Sequence, residues 1–204
     1  MRTALLLRHG QTDWNAERRL QGWAPVGLSE RGREQAAALG AEIAAAHDVD
    51  EVVASDLART RETAEHVAEA TGTPLRFDRG WRERGFGVYQ GLPYAQVQER
   101  HPDFDLRENS IVGLPATPEG GESVGDVRDR VLEAWERLHA DADGTVAVVT
   151  HGGPLHFVLG ELKGLQPEES LRAGSQGNCA INEVRRNGDG GFVVNRENHC
   201  DHLE

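Results

Sequence analysis

Short apolar runs alternate with helical patterns along this chain, and the first run ends abruptly on two reactive side chains. Thr3 to Leu7 reads as a buried strand. Arg8 and His9 follow at once, and Gly10 permits a sharp turn. A strand that delivers a cation and an imidazole onto a turn presents them rather than burying them.

The rhythm repeats. Ser29 is placed to cap a helix whose Ala36, Leu39 and Ile43 form one stripe. Glu51–Ala54 reads as a second strand, and a helix starting at Ser55-Asp56 runs to Gly72. A third strand is expected from Pro74 to Phe77. Residues 79–122 then break the pattern with glycine, proline and aromatic residues, and only Tyr94–Arg100 reads as helix. A segment this long with little regular structure is expected to act as a lid-like insert. Ser123 and Asp126 form a capping pair before the stripe Val124, Val127, Val131, Ala134, Trp135 and Leu138. Val146–Thr150 is the clearest buried strand, and His151-Gly152-Gly153-Pro154 opens the next helix. Weak strands near residues 180–184 and 191–195 close the chain as a hairpin around Asn187-Gly188-Asp189-Gly190. The fold class expected is α/β: a three-layer sandwich with a mostly parallel central sheet flanked by helices, in a single domain spanning residues 1–204.

Composition narrows the function. The net charge of −12 argues against nucleic acid and anionic membrane as partners. No apolar run approaches the roughly 20 residues of a membrane span, and Arg8 cuts short any signal peptide, so a cytoplasmic location is expected. Cys179 and Cys200 form no CxxC pair and read as reduced, structural thiols. His199-Cys200-Asp201-His202 has the residue types of a metal site but reads as a solvated tail, and no metal or cofactor is expected. There is no GxxxxGK[ST] loop or HExxH.

Open α/β sheets bind ligands beyond the carboxyl ends of their strands. That edge collects Arg8 and His9 after the first strand, Arg59 one turn beyond the second, Glu83 after the third and His151 after the fourth. Two arginines suit phosphate oxygens, which they hold with planar, paired donors. Gly152 and Gly153 open a helix N-terminus to an anion. An imidazole with a reference pKa near 6.5 is neutral and nucleophilic around pH 7. A carboxyl group opposite can protonate a leaving oxygen.

Arg8-His9-Gly10-Gln11-Thr12-Asp13-Trp14-Asn15 resembles the RHGxTxxN signature of the histidine phosphatase superfamily, in the branch that includes phosphoglycerate mutases. The resemblance continues in order through Gln21-Gly22, Leu28-Ser29-Glu30-Arg31-Gly32, Ser55 to Ala64, Glu83, Gly120 to Ser123, and Val149 to Gly153. It implies that His9 accepts the phosphoryl group, that Arg8, Arg59 and His151 hold its oxygens, and that Glu83 is the proton donor. It further implies that Asn15, Gln21, Gly22 and Gly152 complete the phosphate pocket. His156 reads equally well as packing or as pocket rim, and Asn178 reads as a turn residue.

The activity expected is metal-independent hydrolysis of phosphomonoesters, with a small phosphorylated substrate as partner. The alternatives are a cofactor-dependent phosphoglycerate mutase and a non-catalytic phosphate-binding module. The intact set Arg8, His9, Arg59, Glu83 and His151 argues against the idle module. A mutase of this family carries a lysine and a paired arginine in its insert. Here residues 85–122 hold only Arg100 and Arg107, beside Glu99, Asp103, Asp105 and Glu108. The pair Glu83-Arg84 does resemble the mutase pattern. The sequence leaves substrate identity and oligomeric state open.

Overall fold

The first apolar run forms β1 (Thr3–Arg8), and the computed structural model, which describes residues 1–103, 110–172 and 174–204, sets it at the centre of the molecule. Asp105, Arg107 and Glu108 lie outside the described residues. In chain order there follow α1 (Asp13–Ala16), α2 (Glu30–Ala46), β2 (Glu51–Ala54), α3 (Ala58–Thr71), β3 (Leu75–Phe77) and α4 (Tyr94–Arg100). The second half adds α5 (Val124–Asp141), β4 (Thr145–Thr150), α6 (Gly152–Leu162), α7 (Pro167–Arg172), β5 (Ile181–Arg186) and β6 (Phe192–His199). The sheet order is β3-β2-β4-β1-β5-β6. The first four strands are parallel, and β5 and β6 close one edge antiparallel.

Strand alternation builds two cores from one sheet, because successive side chains point to opposite faces. Ala4, Leu6, Val53, Val146 and Val148 face a core completed by α5, α6 and the insert. Leu5, Leu7, Val52, Ala54, Ala147 and Val149 face the one completed by α2 and α3. This is the three-layer sandwich expected.

Capping holds the helices in register with the site. Ser123 and Asp126 form a reciprocal capping box at α5, and the Ser29 side chain accepts from the Gly32 amide at α2. Gly72 ends α3 in the left-handed conformation. α3 begins later than expected, at Ala58, and Ser55 is left on the loop that leaves β2. α1 and α7 are short helices that the pattern reading did not anticipate; neither is long enough to show a periodic apolar face.

On α3 the Glu62 carboxylate accepts from the Leu28 amide at 3.2 Å. The C-terminal segment is not the solvated tail expected. Asp201–Leu203 forms a helical turn, and Leu203 packs against the core under α2. Among the described residues no group of three His, Cys, Asp or Glu side chains is placed to hold a metal ion, and no helix is long and apolar enough to cross a membrane.

Candidate active site

The register of β1 with β4 pairs Arg8 with Thr150, so His9 and His151 leave the sheet side by side. Their ring centroids are 5.2 Å apart. The His9 backbone is tied on both sides, its amide donating to the Thr150 carbonyl and its carbonyl accepting from the Cys179 amide. Gly10 is required next, because a Cβ there would lie 2.5 Å from the Gly32 carbonyl oxygen at the start of α2.

Hydrogen bonding selects the reactive nitrogen of His9. Nδ1 lies 2.7 Å from the Gly10 carbonyl oxygen, which can only accept. Nδ1 therefore carries the proton, and Nε2 presents a lone pair. Burial pushes the His9 pKa well below its usual value, and the Arg59 and Arg8 charges push it further. The ring is neutral at pH 7. His151 is likewise held neutral by burial, then by Arg59 and the neighbouring His9. Its Nε2 is 3.0 Å from the Ser55 hydroxyl, which leaves Nδ1 for the site.

The cations converge on the same point. Arg59, 1 % exposed, donates from Nε toward His9 Nε2 at 3.3 Å and from one terminal nitrogen to the Gly22 carbonyl at 2.9 Å. Burial lowers its pKa to about 10, so it stays charged at neutral pH. Arg8 donates to the Gln176 carbonyl, and the buried Asn182 amide holds the Gln176 side chain at 3.0 Å. Three buried nitrogens here lack any partner among the described residues: Arg8 Nε, Arg59 Nη1 and His151 Nδ1. Leaving a buried donor unpaired costs roughly 1–3 kcal/mol.

Glu83 reaches the site through a rigid frame. Its carboxylate accepts from the Arg84 amide at 2.9 Å and the Gly153 amide at 3.3 Å. Arg130 of α5 grips the Glu122 carboxylate with two donors at 3.0 and 2.8 Å, and donates to the Gly80 and Arg82 carbonyls. Arg84, fully buried, spends its guanidinium on the backbone carbonyls of Val112, Leu114, Ala116 and Glu122. It staples the insert.

The remaining candidate residues divide into lining and support. Gly152 lines a cavity of about 380 Å³ together with Arg8 and Glu83. Asn15 and Gln21 turn their side-chain oxygens to Thr12, at 3.1 and 3.0 Å. Gly22 adopts φ +52, where a Cβ would collide with Gln90 and Phe86, and serves through its carbonyl. Asn178 is more than a turn residue: its amide donates to the His9 carbonyl at 3.1 Å. Gln176, Asn182 and Arg130 carry no role in the sequence reading, and Ser55 appears there only as a helix start and within a motif. Their partners across the fold, Arg8 for Gln176, Leu6 for Asn182, Gly80 for Arg130 and His151 for Ser55, are distant in the chain, so no local signature marks them.

A neutral imidazole lone pair ringed by cations and unpaired donors, with a carboxylate opposite, is a phosphoryl-transfer geometry. The comparisons agree. The model of the histidine phosphatase superfamily (branch 1) matches residues 4–199. The chain belongs to the histidine phosphatase superfamily. A glucosyl-3-phosphoglycerate phosphatase of Mycolicibacterium vanbaalenii is 34% identical over 203 residues, covering 94% of this chain and 89% of that protein. A probable phosphoglycerate mutase of Salmonella choleraesuis is 32% identical, covering 98% and 94%. The solved structure of a mycobacterial glucosyl-3-phosphoglycerate phosphatase in complex with VO3 superposes with a TM-score of 0.84 at 33% identity, covering 97% and 99%.

In this member of the histidine phosphatase superfamily, His156 of α6 lines the cavity and is also packed, at 6 % exposure. Burial, followed by the Arg8 charge, pushes its pKa down to about 4. Below pH 6.5 the unfolded histidine binds a proton that the folded one refuses. Stability is therefore full above pH 6.5 and is lost as pH falls toward 4. The shift from 6.5 to about 4 corresponds to roughly 3 kcal/mol. Denaturant midpoints measured from pH 7 to 4.5 should fall, and His156→Gln should lessen that slope while leaving the share contributed by the buried His9 and His151. An unchanged slope in the variant would assign the acid sensitivity elsewhere.

Proposed function

We propose that this chain hydrolyses phosphomonoesters through a phosphohistidine on His9, with Glu83 as proton donor and no metal in the reaction. The observation that carries this reading is the set of three buried nitrogens on the residues flanking His9 that have no partner among the described residues. Arg8 Nε, Arg59 Nη1 and His151 Nδ1 await acceptor oxygens, and a phosphoryl group has three to offer. Cationic donors already in place stabilise the charge that builds on those oxygens without reorganisation.

The His9 Nε2 lone pair attacks phosphorus, and the bond from phosphorus to the ester oxygen breaks. The leaving oxygen takes the proton from the Glu83 carboxyl and departs as an alcohol. The Glu83 carboxylate then accepts a proton from water as the water oxygen attacks phosphorus and the N–P bond breaks. Phosphate leaves, and His9 and Glu83 return to their starting states.

Hydrolysis is favoured over isomerisation. The Glu83-Arg84 pair was the mutase-like feature of the sequence, and Arg84 is committed to four backbone carbonyls. The buried nucleophile with its lone pair leaves no ground for an idle binding module. The test incubates the protein with a panel of monoesters in EDTA. A further arm supplies 3-phosphoglycerate with a trace of 2,3-bisphosphoglycerate. Free phosphate is expected from several esters, with negligible 2-phosphoglycerate. Interconversion that outruns phosphate release by orders of magnitude would make the protein a mutase.

A further inference from the structure

The cavity beyond the phosphoryl site carries charge that the chemistry above leaves unused. Its lining includes Arg18 and Arg172 as well as Arg8, and Glu83 is the one carboxylate among the described lining residues. In a chain of net charge −12, that concentration of cations favours an anionic ligand. Neither outer arginine comes from the insert: Arg18 follows α1, and Arg172 ends α7.

Arg18 stands apart. Its φ is +54, a left-handed conformation that glycine adopts freely and arginine only under strain. The backbone is held there from both sides, since its amide donates to the Asn15 carbonyl and its carbonyl accepts from the Tyr94 amide. Its guanidinium makes no hydrogen bond or ion pair among the described residues. The adjacent Glu17 carboxylate is taken by Arg19 at 2.5 Å. Tyr94 lines the same cavity, and burial raises its pKa, so the phenol stays protonated as a donor. A strained position, an unpaired cation and a place in the cavity wall have no common structural purpose.

We propose that Arg18 is a specificity-determining residue that binds a second acidic group, a carboxylate or phosphate, on the alcohol side of the substrate. This rests on the phosphatase reading. The substrate class is then a phosphomonoester whose alcohol is itself anionic.

Two matched pairs of esters test it. 3-Phosphoglycerate against glycerol 3-phosphate differs by a carboxylate. Fructose 1,6-bisphosphate against fructose 6-phosphate differs by a phosphate. The wild type should show the higher kcat/KM on the acidic member of at least one pair, and that pair names the group. Arg18→Gly, which suits the left-handed backbone and should fold with an unchanged or higher Tm, should cut that preference about tenfold, mainly through KM. A preference that stays within twofold in the variant, or a wild type with no preference in either pair, overturns the proposal. If p-nitrophenyl phosphate and every other ester resist hydrolysis, the phosphatase reading itself fails. The subsite is then judged by binding, where 3-phosphoglycerate or fructose 1,6-bisphosphate should raise the Tm of the wild type but not of Arg18→Gly. Equal stabilisation of both proteins, or of neither, overturns it.

Discussion

His9→Ala is expected to lower turnover by roughly 10⁴-fold or more, because it removes the atom that accepts the phosphoryl group. No neighbour can replace it. His151 Nε2 is engaged with Ser55, and the ring serves the site through Nδ1. The arginines are held as cations, Arg59 with a pKa of about 10, and have no lone pair to offer. Rapid quenching of the wild type with labelled substrate should trap an adduct on His9 that acid destroys and base preserves. The variant should form none while keeping the circular dichroism of the native fold. Near wild-type turnover by His9→Ala would sink the covalent mechanism, whatever the adduct chemistry showed.

The second large effect concerns Glu83, and it depends on the leaving group. Glu83→Gln keeps an oxygen that can accept from the Arg84 or Gly153 amide, so the Arg130–Glu122 frame has no cause to shift. What is lost is the transferable proton. Alkyl phosphates, whose alkoxides are poor leaving groups, should slow by about 10²- to 10⁴-fold in the step that breaks the ester. Aryl phosphates such as p-nitrophenyl phosphate leave as stable anions and should lose far less in single-turnover formation of phosphohistidine. Breakdown of that intermediate should slow for both, since water activation is common to them. Equal losses in the first step for alkyl and aryl esters would remove Glu83 from the role of acid.

Much of this site was legible in the chain because strand ends are predictable places. Apolar runs at Thr3–Leu7, Glu51–Ala54 and Val146–Thr150, each followed by a helical pattern, imply parallel strands whose carboxyl ends share one edge. Arg8, His9 and His151 had to meet there. The register of Arg8 with Thr150 then set them level. The capping pair Ser123–Asp126 and the terminator Gly72 were visible for the same reason: their partners lie within a few residues. The sequence reading looked for a substrate-binding cation only in residues 85–122 and found the insert poor in them. Arg18, which follows α1, and Arg172, which ends α7, line the cavity instead.

By itself, then, the sequence determined the alternation of strand and helix, the edge where reactive groups gather and which residue types stand there. These follow from periodicity and local capping, which act over one or two turns of chain. Tertiary structure alone decided what each group can do. It left His9 Nε2 with the lone pair, by turning Nδ1 to the Gly10 carbonyl. It made both histidines neutral, by burying them beside Arg59. It spent Arg84 on the insert and left Arg18 unspent at the cavity wall. Protonation and hydrogen-bond vacancy depend on desolvation and on partners such as Ser55 for His151 and Gln176 for Arg8, 96 and 168 residues away in the chain. No pattern within a turn of helix or a run of strand encodes those distances.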